Sequence, residues 1–289
     1  MEIEEPPTTE QVKEAVSYLS EWMSKEPHLP KIDSYRLSVI YYHSKYSLAK
    51  AKEKIENYFS LWSKYPNLFR CRDPTSPELQ LSRRALNVSV SDRLTSDGGS
   101  RLILIKWDPD PGIFNMTDFL KRTCMVFDMI ILDKFTLCSY IMVVNCLNLH
   151  YQHFLKIAAD IRVAAEITRK THSERMIGIH LINAPTFTDL FVTTLRPFLP
   201  SKYMNRIFVH ASSNNSDILK WVDENVLPED FGGRGPNSAE YDDWTQKKLE
   251  MYREWFKEQE TVCSNESLRR KGGYQMEEMK GSFKKIDFD

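Results

Sequence analysis

One pair of histidines and one pair of aspartates in this chain are spaced so that they could bind a metal ion or act in catalysis. His150 and His153 stand three residues apart, a spacing that places two metal ligands on one helical turn. No third ligand stands near them in the sequence, so we expect hydrogen-bonded or solvated histidines. Asp108 and Asp110 could act as paired carboxylates, but the prolines beside them favour a turn. His180 lies within an apolar run and is interpreted as a core residue. We therefore expect no catalytic residue, no metal and no cofactor.

Glycine is scarce where phosphate-binding loops would need it. The chain has ten glycines, and Gly178 is the only one between Gly112 and Gly232. Loops that bind phosphate through backbone N–H groups need several glycines, because the backbone must come close to the anion. The absence of such motifs, and of a Gly-x-Ser-x-Gly motif, argues against dinucleotide-binding, nucleotide-hydrolysing and α/β-hydrolase functions.

The segment Pro185–Pro200 has an apolar stripe at helical spacing with few charges. One interpretation is a core-facing helix, and the other is a lid over an apolar cavity. Arg175, Lys202 and Arg206 border the segment, and cations beside an apolar flap would suit a surface that meets anionic lipid headgroups. The stripe consists of Phe187, Leu190, Phe191, Thr194, Leu195 and Phe198.

Strands and helices are predicted to alternate in the part of the chain that contains these residues. Short continuous apolar runs are separated by helix-sized segments, which indicates a largely parallel sheet covered by helices. The helices between and after the strands are predicted over Asp118–Asp133, Leu155–Lys170 and Ser216–Val226. The four strands are predicted at Leu102–Trp107, Tyr140–Val144, Ile177–Ile182 and Ile207–His210.

The first hundred residues are predicted to be helical. Thr8-x-x-Gln11 is a capping box, and Asp33 and Ser47 are predicted to cap the next two helices. Cys71–Gln80 is interpreted as a linker. Near the other end, Tyr241–Glu260 is predicted to form a helix, followed by a polar tail. We predict three parts: a helical domain over 1–80, a ligand-binding domain over 81–235, and a C-terminal helix with an extended tail over 236–289.

Composition excludes several classes of protein. Hydrophobic residues make up 42% and charged residues 27%, which predicts a folded protein with a substantial core. The net charge of −1 lacks the basic excess of a typical nucleic-acid binder. Five cysteines without a Cys-x-x-Cys pair, no signal peptide and no long apolar span favour a reduced, cytoplasmic protein.

Several segments together resemble the CRAL-TRIO lipid-transfer family, most closely its alpha-tocopherol transfer protein-like, insect-type members. The resemblance covers nearly the whole chain, in both the order and the spacing of the segments. It rests on Gly178–Pro185 (GIHLINAP), Arg196–Leu199 (RPFL), Arg206–His210 (RIFVH), Leu227–Gly233 (LPEDFGG) and Gly281–Asp287 (GSFKKID).

The resemblance implies an α/β fold in which a helical N-terminal region precedes a CRAL-TRIO domain. That domain would have a mostly parallel sheet covered by helices, with an apolar cavity closed by a movable gate helix over about Asn183–Arg206. In tocopherol-type members a basic cluster beside the gate engages phosphoinositide headgroups. Arg175, Lys202 and Arg206 align with that cluster.

We therefore expect a non-enzymatic carrier that encloses one hydrophobic molecule and exchanges it at membranes. The ligand would be tocopherol-, retinoid-, carotenoid- or sterol-like, or a phospholipid. We expect Tyr151, Phe154, Ile179 and Leu181 to line the cavity together with the stripe defined above, since alternation places the last two on one face of a strand. The expected protein is a cytoplasmic monomer that contacts anionic membranes transiently and binds no nucleic acid. The alternative is a regulatory or scaffold module whose pocket is collapsed and which acts through protein partners.

Overall fold

The computed structural model describes residues 7–96, 99–133, 138–171, 175–199, 201–211 and 217–270, without the side chains of Thr171, Lys202 and Ala211. The sequence Asp97–Ser100 (DGGS) predicts a turn, and it lies partly outside the described residues. The tail motif Gly281–Asp287 lies wholly outside them.

The N-terminal part is helical, as predicted. Thr8 and Gln11 form the expected capping box, and the side chains of Asp33 and Ser47 cap the next two helices. The inner faces of these helices form one apolar cluster that includes Leu19 and Ile55. The helices are α1 (Thr9–Lys25), α2 (Ser34–His43), α3 (Leu48–Lys64), α4 (Pro66–Phe69) and α5 (Pro77–Ala85).

Five strands in the order β1-β2-β3-β4-β5 form the sheet. Strands β2 to β5 run parallel, which confirms the predicted parallel sheet, and β1 pairs antiparallel with β2. The sequence analysis missed β1, although its alternation of apolar and polar residues (LNVSV) is typical of a strand. The strands are β1 (Leu86–Val90), β2 (Ser100–Trp107), β3 (Ser139–Asn145), β4 (Arg175–Ala184) and β5 (Ile207–Ala211).

Helices connect the parallel strands and follow the sheet. The predicted helix over Leu155–Lys170 is two helices, because the backbone at Asp160 leaves the helical conformation. The predicted helix over Tyr241–Glu260 is likewise two helices, which meet at Tyr252. The helices are α6 (Met116–Leu132), α7 (Tyr151–Ala159), α8 (Ile161–Thr171), α9 (Thr188–Leu195), α10 (Ser201–Met204), α11 (Ser238–Met251) and α12 (Arg253–Glu258).

The two faces of the sheet pack against different parts of the chain. Ile103, Ile105 and Leu181 belong to a cluster with residues of α6, α7 and α8. Their strand neighbours Leu102 and Leu104 point to the opposite face, because successive side chains alternate. We call the first face the helix-covered face.

The opposite face is covered by residues 217–231 and α11, and here one prediction was wrong. The segment predicted as the helix Ser216–Val226 forms turns and a short 3-10 helix over its described residues, 217–226. Ile218, Val222 and Val226 have helical spacing and are buried against the sheet. The carboxylate of Asp223 accepts the backbone N–H of Asn225 at 2.9 Å, a local turn that competes with helix formation.

A buried ion pair joins the N-terminal helices to α6. Arg72 Nη1 lies 2.6 Å from Asp128 Oδ2, and the Tyr58 hydroxyl donates to Asp128 Oδ1 at 2.5 Å. The Arg72 guanidinium also lies 4.3 Å from the centroid of Trp62. Removing one partner of a buried ion pair leaves an uncompensated charge, which is strongly destabilising. This contact therefore fixes the N-terminal helices against the second part of the chain.

Candidate ligand-binding site

Apolar side chains from three neighbouring strands form a floor on the helix-covered face. Met142 of β3 is in register with Ile179 of β4, and Val144 is in register with Leu181. Ile179 is in turn in register with Ile207 of β5. All five pack on the same core cluster. We call these five residues the apolar floor.

Helix α7 contacts α9 and the residue just before it above this face, through two pairs of rings. The rings of Tyr151 and Phe187 lie 5.8 Å apart in an edge-to-face arrangement. The rings of Phe154 and Phe191 lie at the same distance and also meet edge-to-face. Such pairs contribute about 0.5–1.5 kcal/mol each beyond the area that they bury. The two pairs therefore hold α9 against α7.

The predicted stripe does not form one continuous helix. Helix α9 spans only Thr188–Leu195, so Phe187 precedes it and Phe198 follows it. Pro197 explains the end of the helix, because proline lacks the N–H that an interior helical residue donates. A turn and the four residues of α10 complete the predicted gate segment before β5.

The predicted ligand-binding residues differ in burial. Phe154 and Leu181 are buried, whereas Tyr151 and Leu190 are about half exposed at 49% and 50%. Thr194 is partly buried, and its hydroxyl donates to the carbonyl of Leu190 at 2.8 Å, which leaves it little freedom to face a ligand. The remaining members are also partly buried: Ile179, Phe187, Phe191, Leu195 and Phe198.

A left-handed residue stands at the junction between β4 and the gate segment. Asn183 has a φ of 52°, and asparagine is one of the few non-glycine residues that tolerate this conformation. Its side chain donates to Asn145 Oδ1 at 2.9 Å, which ties it to the last residue of β3. The pairing of β4 with β5 shifts register between Leu181 and Ala184, at this point.

The sequence analysis missed several residues of this region. Met142, Val144 and Ile207 belong to the apolar floor, and Val192 of α9 packs on the same cluster. The alternation within β3 and β5 carried the signal for the first three, because it assigns every second side chain to one face. Deciding which face required knowledge of the covering helices.

The His150/His153 pair is part of a hydrogen-bonded helix start. The backbone N–H of His150 donates to His153 Nδ1 at 3.1 Å, and His153 is fully buried. Within the described residues, no group of three or more His, Cys, Asp or Glu side chains is placed to hold a metal ion. Asp108 and Asp110 form the predicted turn, since each carboxylate accepts a backbone N–H two residues further along.

The three predicted membrane-binding cations differ in their surroundings. Arg175 is exposed and interacts with the Tyr42 hydroxyl; burial raises the pKa of Tyr42, and Arg175 partly opposes that rise. Arg206 donates through Nη1 to the carbonyl of Met176. The side chain of Lys202 lies outside the described residues. A common basic surface of the three stays a prediction.

Several large apolar side chains around α7 and α9 are exposed. Leu147 follows β3, Tyr151 and Leu155 lie one turn apart on α7, and Leu190 lies on α9. Their exposed fractions are 72%, 49%, 52% and 50%. Exposed large apolar side chains on neighbouring elements can mark an interaction surface. We call these four residues the exposed apolar group.

A separate cleft of about 500 Å³ has a different chemical character. It is lined by charged residues that include Arg83, Lys106 and Asp242. Arg83 is paired with Asp242 at 2.7 Å, and Lys106 is paired with Asp230 at the same distance. Its charges are thus largely neutralised within the protein, and it is a poor environment for an apolar ligand.

Among the helices of the described residues, none combines the length and the apolar composition needed to cross a bilayer.

Comparison with known proteins identifies two regions. Residues 99–233 match the model of the CRAL/TRIO domain, and residues 8–79 match the model of the Pinta-like UBA domain. Clavesin-2 of Homo sapiens is 24% identical over 229 residues, which cover 75% of this chain and 70% of clavesin-2. Clavesin-1 of Rattus norvegicus is 27% identical over 143 residues, which cover 48% of this chain and 40% of clavesin-1.

The crystal structure of Sfh5 has a similar fold. It superposes with a TM-score of 0.50 at 11% sequence identity, over 82% of this chain and 92% of the Sfh5 chain. At this identity the similarity concerns the fold alone.

Proposed function

Because residues 99–233 form a CRAL/TRIO domain, we propose that this protein binds a hydrophobic small molecule or lipid and transfers it at membranes. The ligand lies between the apolar floor and α9. The observation that carries the proposal is the pair of ring contacts, Tyr151–Phe187 and Phe154–Phe191, which holds a short helix over an apolar sheet face.

The energetics of this arrangement suit a gate. Moving α9 away from the floor exposes several large apolar side chains to water, at about 1.5–3 kcal/mol each. The open state is therefore rare in water and is favoured at a membrane, where exposed apolar surface is tolerated. A carrier needs this difference, because it must retain its ligand in water and release it at a bilayer.

The exposed apolar group supports membrane contact at the same place. Tyr151 belongs both to this group and to the ring contact with Phe187, so a membrane that contacts Tyr151 also reaches the edge of the gate. Arg175, Lys202 and Arg206 supply the attraction to anionic headgroups, including phosphoinositides. The ligand is tocopherol-, retinoid-, carotenoid- or sterol-like, or a phospholipid.

The decisive test is to identify the molecule that is bound to the protein when it is purified from its own tissue. We expect native mass spectrometry of the purified protein to show one hydrophobic passenger per chain, identifiable after solvent extraction. The same experiment on Phe191→Asp, which places a charge under the gate, is expected to show the empty protein. Repeated absence of a passenger from the wild-type protein, together with no binding of added lipids, would count against a carrier.

A second candidate function is a non-enzymatic regulatory or scaffold module that acts through a protein partner. The match of residues 8–79 to a UBA domain favours it, since that part of the chain would then provide a binding surface of its own. Under this alternative the rings of α7 and α9 pack permanently on the floor, and no lipid displaces them. Lipid-independent co-purification of one partner would support this alternative.

A further inference from the structure

Two buried hydrogen-bond donors lie side by side where α7 meets the helix-covered face of the sheet. Trp107 is the last residue of β2, and its side chain belongs to the same core cluster as Leu181. His153 lies on α7, and the centroids of the two rings are 4.9 Å apart. Trp107 is 6% exposed and His153 is fully buried. Within the described part of the chain, neither Trp107 Nε1 nor His153 Nε2 has a hydrogen-bond partner.

The backbone around His153 determines which of its nitrogens carries a proton. His153 Nδ1 accepts the backbone N–H of His150, so in the neutral ring the proton is on Nε2. Burial lowers the pKa of His153, and the nearby His150 and Lys156 lower it further. The ring is therefore neutral at physiological pH, and Nε2 is a donor like the indole Nε1.

Two neighbouring donors without an acceptor are costly in an apolar interior. Each buried polar group without a partner loses its hydrogen bond to water and gains none in return, which destabilises the folded protein. The ring of Phe114 lies 5.5 Å from Trp107 and 6.0 Å from His153, and it offers no acceptor lone pair. One oxygen atom with two lone pairs could accept from both donors.

The surroundings of the two donors favour an acceptor oxygen that carries no charge. The cation on the same helix, Lys156, already donates to the backbone carbonyls of Pro111 and Phe114, at 2.6 and 2.9 Å. A neutral acceptor is therefore favoured over a phosphate, whose burial without a paired cation is expensive.

The two donors adjoin the proposed ligand site. His153 is followed in α7 by Phe154, whose ring contacts Phe191 of α9 at 5.8 Å. Trp107 lies two residues after Ile105 on the same face of β2, and Ile105 is in register with Val144 of the apolar floor. A ligand whose body lies on the floor would thus reach both donors with one end.

We propose that Trp107 and His153 bind the single polar group of the ligand, by donating two hydrogen bonds to one neutral oxygen. The ligand class is then a largely hydrocarbon molecule with one hydroxyl or carbonyl oxygen at its end. Pure hydrocarbons and phospholipids are expected to bind more weakly than such a molecule. This inference rests on the proposed function, since it assigns a polar subsite within the same ligand site.

The test compares ligands that differ by one oxygen. The probes are retinol, retinal and the matched hydrocarbon axerophthene, and cholesterol with the matched hydrocarbon 5-cholestene, each delivered from cyclodextrin. Trp107→Phe keeps an aromatic ring and removes the indole N–H. We expect it to weaken binding of the three oxygen-bearing probes by about two- to tenfold, the effect of one neutral hydrogen bond, and to leave the hydrocarbons unchanged.

Trp62→Phe is the matched control. Trp62 is also buried, with an indole N–H that has no partner within the described residues, but it lies in the N-terminal helices. We expect this variant to bind all five probes as the wild type does. Thermal unfolding of both variants shows that the fold is retained.

A second measurement observes the hydrogen bond directly. The indole ¹H–¹⁵N signal that disappears in Trp107→Phe is the signal of Trp107. We expect it to move downfield with retinol, retinal and cholesterol, and to move little with the hydrocarbons. If the probes bind with no dependence on oxygen, or if Trp107→Phe keeps the full preference, the inference is wrong and the carrier function stands. If none of the five probes nor a total lipid extract binds, the proposed function fails as well.

Discussion

Gly178 illustrates how one missing side chain makes room for a buried polar pair. A Cβ atom built at Gly178 would lie 2.7 Å from His180 Nε2, well inside van der Waals contact. The His180 ring stacks on Phe208 at 4.9 Å, and its Nδ1 lies 2.9 Å from His210 Nε2. His180 is thus the core histidine that its position within an apolar strand indicated.

We expect Gly178→Ala to destabilise the protein by about 1–3 kcal/mol, because the added methyl group displaces the His180 ring from its stacked position. Urea unfolding measures the free energy. In the His180→Ser background the same change is expected to cost clearly less, since the ring that it strikes is absent. An equal cost in both backgrounds would mean that the strain arises elsewhere.

The same pair, His180 and His210, makes the stability of the folded protein depend on pH. Burial, together with a smaller effect of the neighbouring His210, lowers the pKa of His180 to about 4, whereas an unfolded histidine titrates near 6.5. Below pH 6.5 the unfolded chain takes up a proton that the folded protein excludes. Stability from this pair is therefore complete above about pH 6.5 and is lost as the pH falls towards 4, by about 1 kcal/mol per pH unit.

The measurement is unfolding free energy between pH 7 and pH 4 for the wild type and for His180→Phe, which keeps the stacked ring. The difference between the two proteins is assigned to the His180–His210 pair, because removing one partner also changes the other. Parallel curves over the whole range would show that His180 does not titrate as the structure indicates.

At the scale of elements, the proposed gate is short and bounded at both ends. Asn183 with its positive φ precedes it, and Pro197 follows α9. Phe191 packs against the core cluster, whereas Leu190, the adjacent residue, is half exposed. The two residues therefore distinguish the inner and outer sides of one helix.

We expect Phe191→Asp to fold and to lose its ligand, because the buried charge holds the gate open while the sheet core stays intact. Leu190→Asp is the matched control and is expected to retain the ligand, since its charge stays in water. Lipid extraction after gel filtration gives the ligand content. Ligand retention by Phe191→Asp would show that this side chain does not face the ligand, and global unfolding would mean that α9 is simply part of the core.

Hydrogen exchange distinguishes a gate from a core helix. Over residues 183–206 a gate loses protection selectively when anionic liposomes are added, while the strands keep theirs. A helix that belongs permanently to the core keeps its protection in both conditions.

At the scale of the whole molecule, the net charge of −1 does not draw the protein to anionic membranes. The proposed membrane contact therefore relies on a local surface that combines cations with apolar side chains. The buried contact of Arg72 with Asp128 keeps the N-terminal helices attached, so the molecule is expected to approach the membrane as one body.

Replacing Arg175, Lys202 and Arg206 together with Ala is expected to weaken binding to anionic liposomes by about 3 kcal/mol, or ~100-fold, at low salt, since each cation near such a surface contributes about 1 kcal/mol. The difference should shrink as salt rises. The control replaces three other exposed cations, Lys13, Arg84 and Arg234, and is expected to bind as the wild type does. Unchanged sedimentation of the first variant with liposomes would refute the basic surface.

Local sequence signals predicted most of the elements. The caps at Thr8, Asp33 and Ser47 and the apolar strands were correct, because a cap depends on one side chain and its nearest backbone N–H groups. The errors lay where local spacing was ambiguous. Ile218, Val222 and Val226 have helical spacing, yet they reach the sheet from turns.

The resemblance in the sequence identified the segment that forms α9 and the residues beside it, but not their partners. The pairing of Tyr151 with Phe187, and of Phe154 with Phe191, joins residues more than 30 positions apart. No local pattern encodes such a contact, because it depends on the register of the strands between the two helices.

Composition, capping and strand alternation depend on neighbouring residues, and they were sufficient for the helical N-terminal region, the parallel sheet and the apolar character of the gate. The assembled fold was needed to show that β3, β4 and β5 align their apolar side chains into one floor, and that the rings of Trp107 and His153 lie side by side. The physical reason is that burial and hydrogen-bond satisfaction are properties of the surroundings in space. A histidine or tryptophan donor lacks a partner only when the packing around it, contributed by distant segments, excludes both water and acceptors.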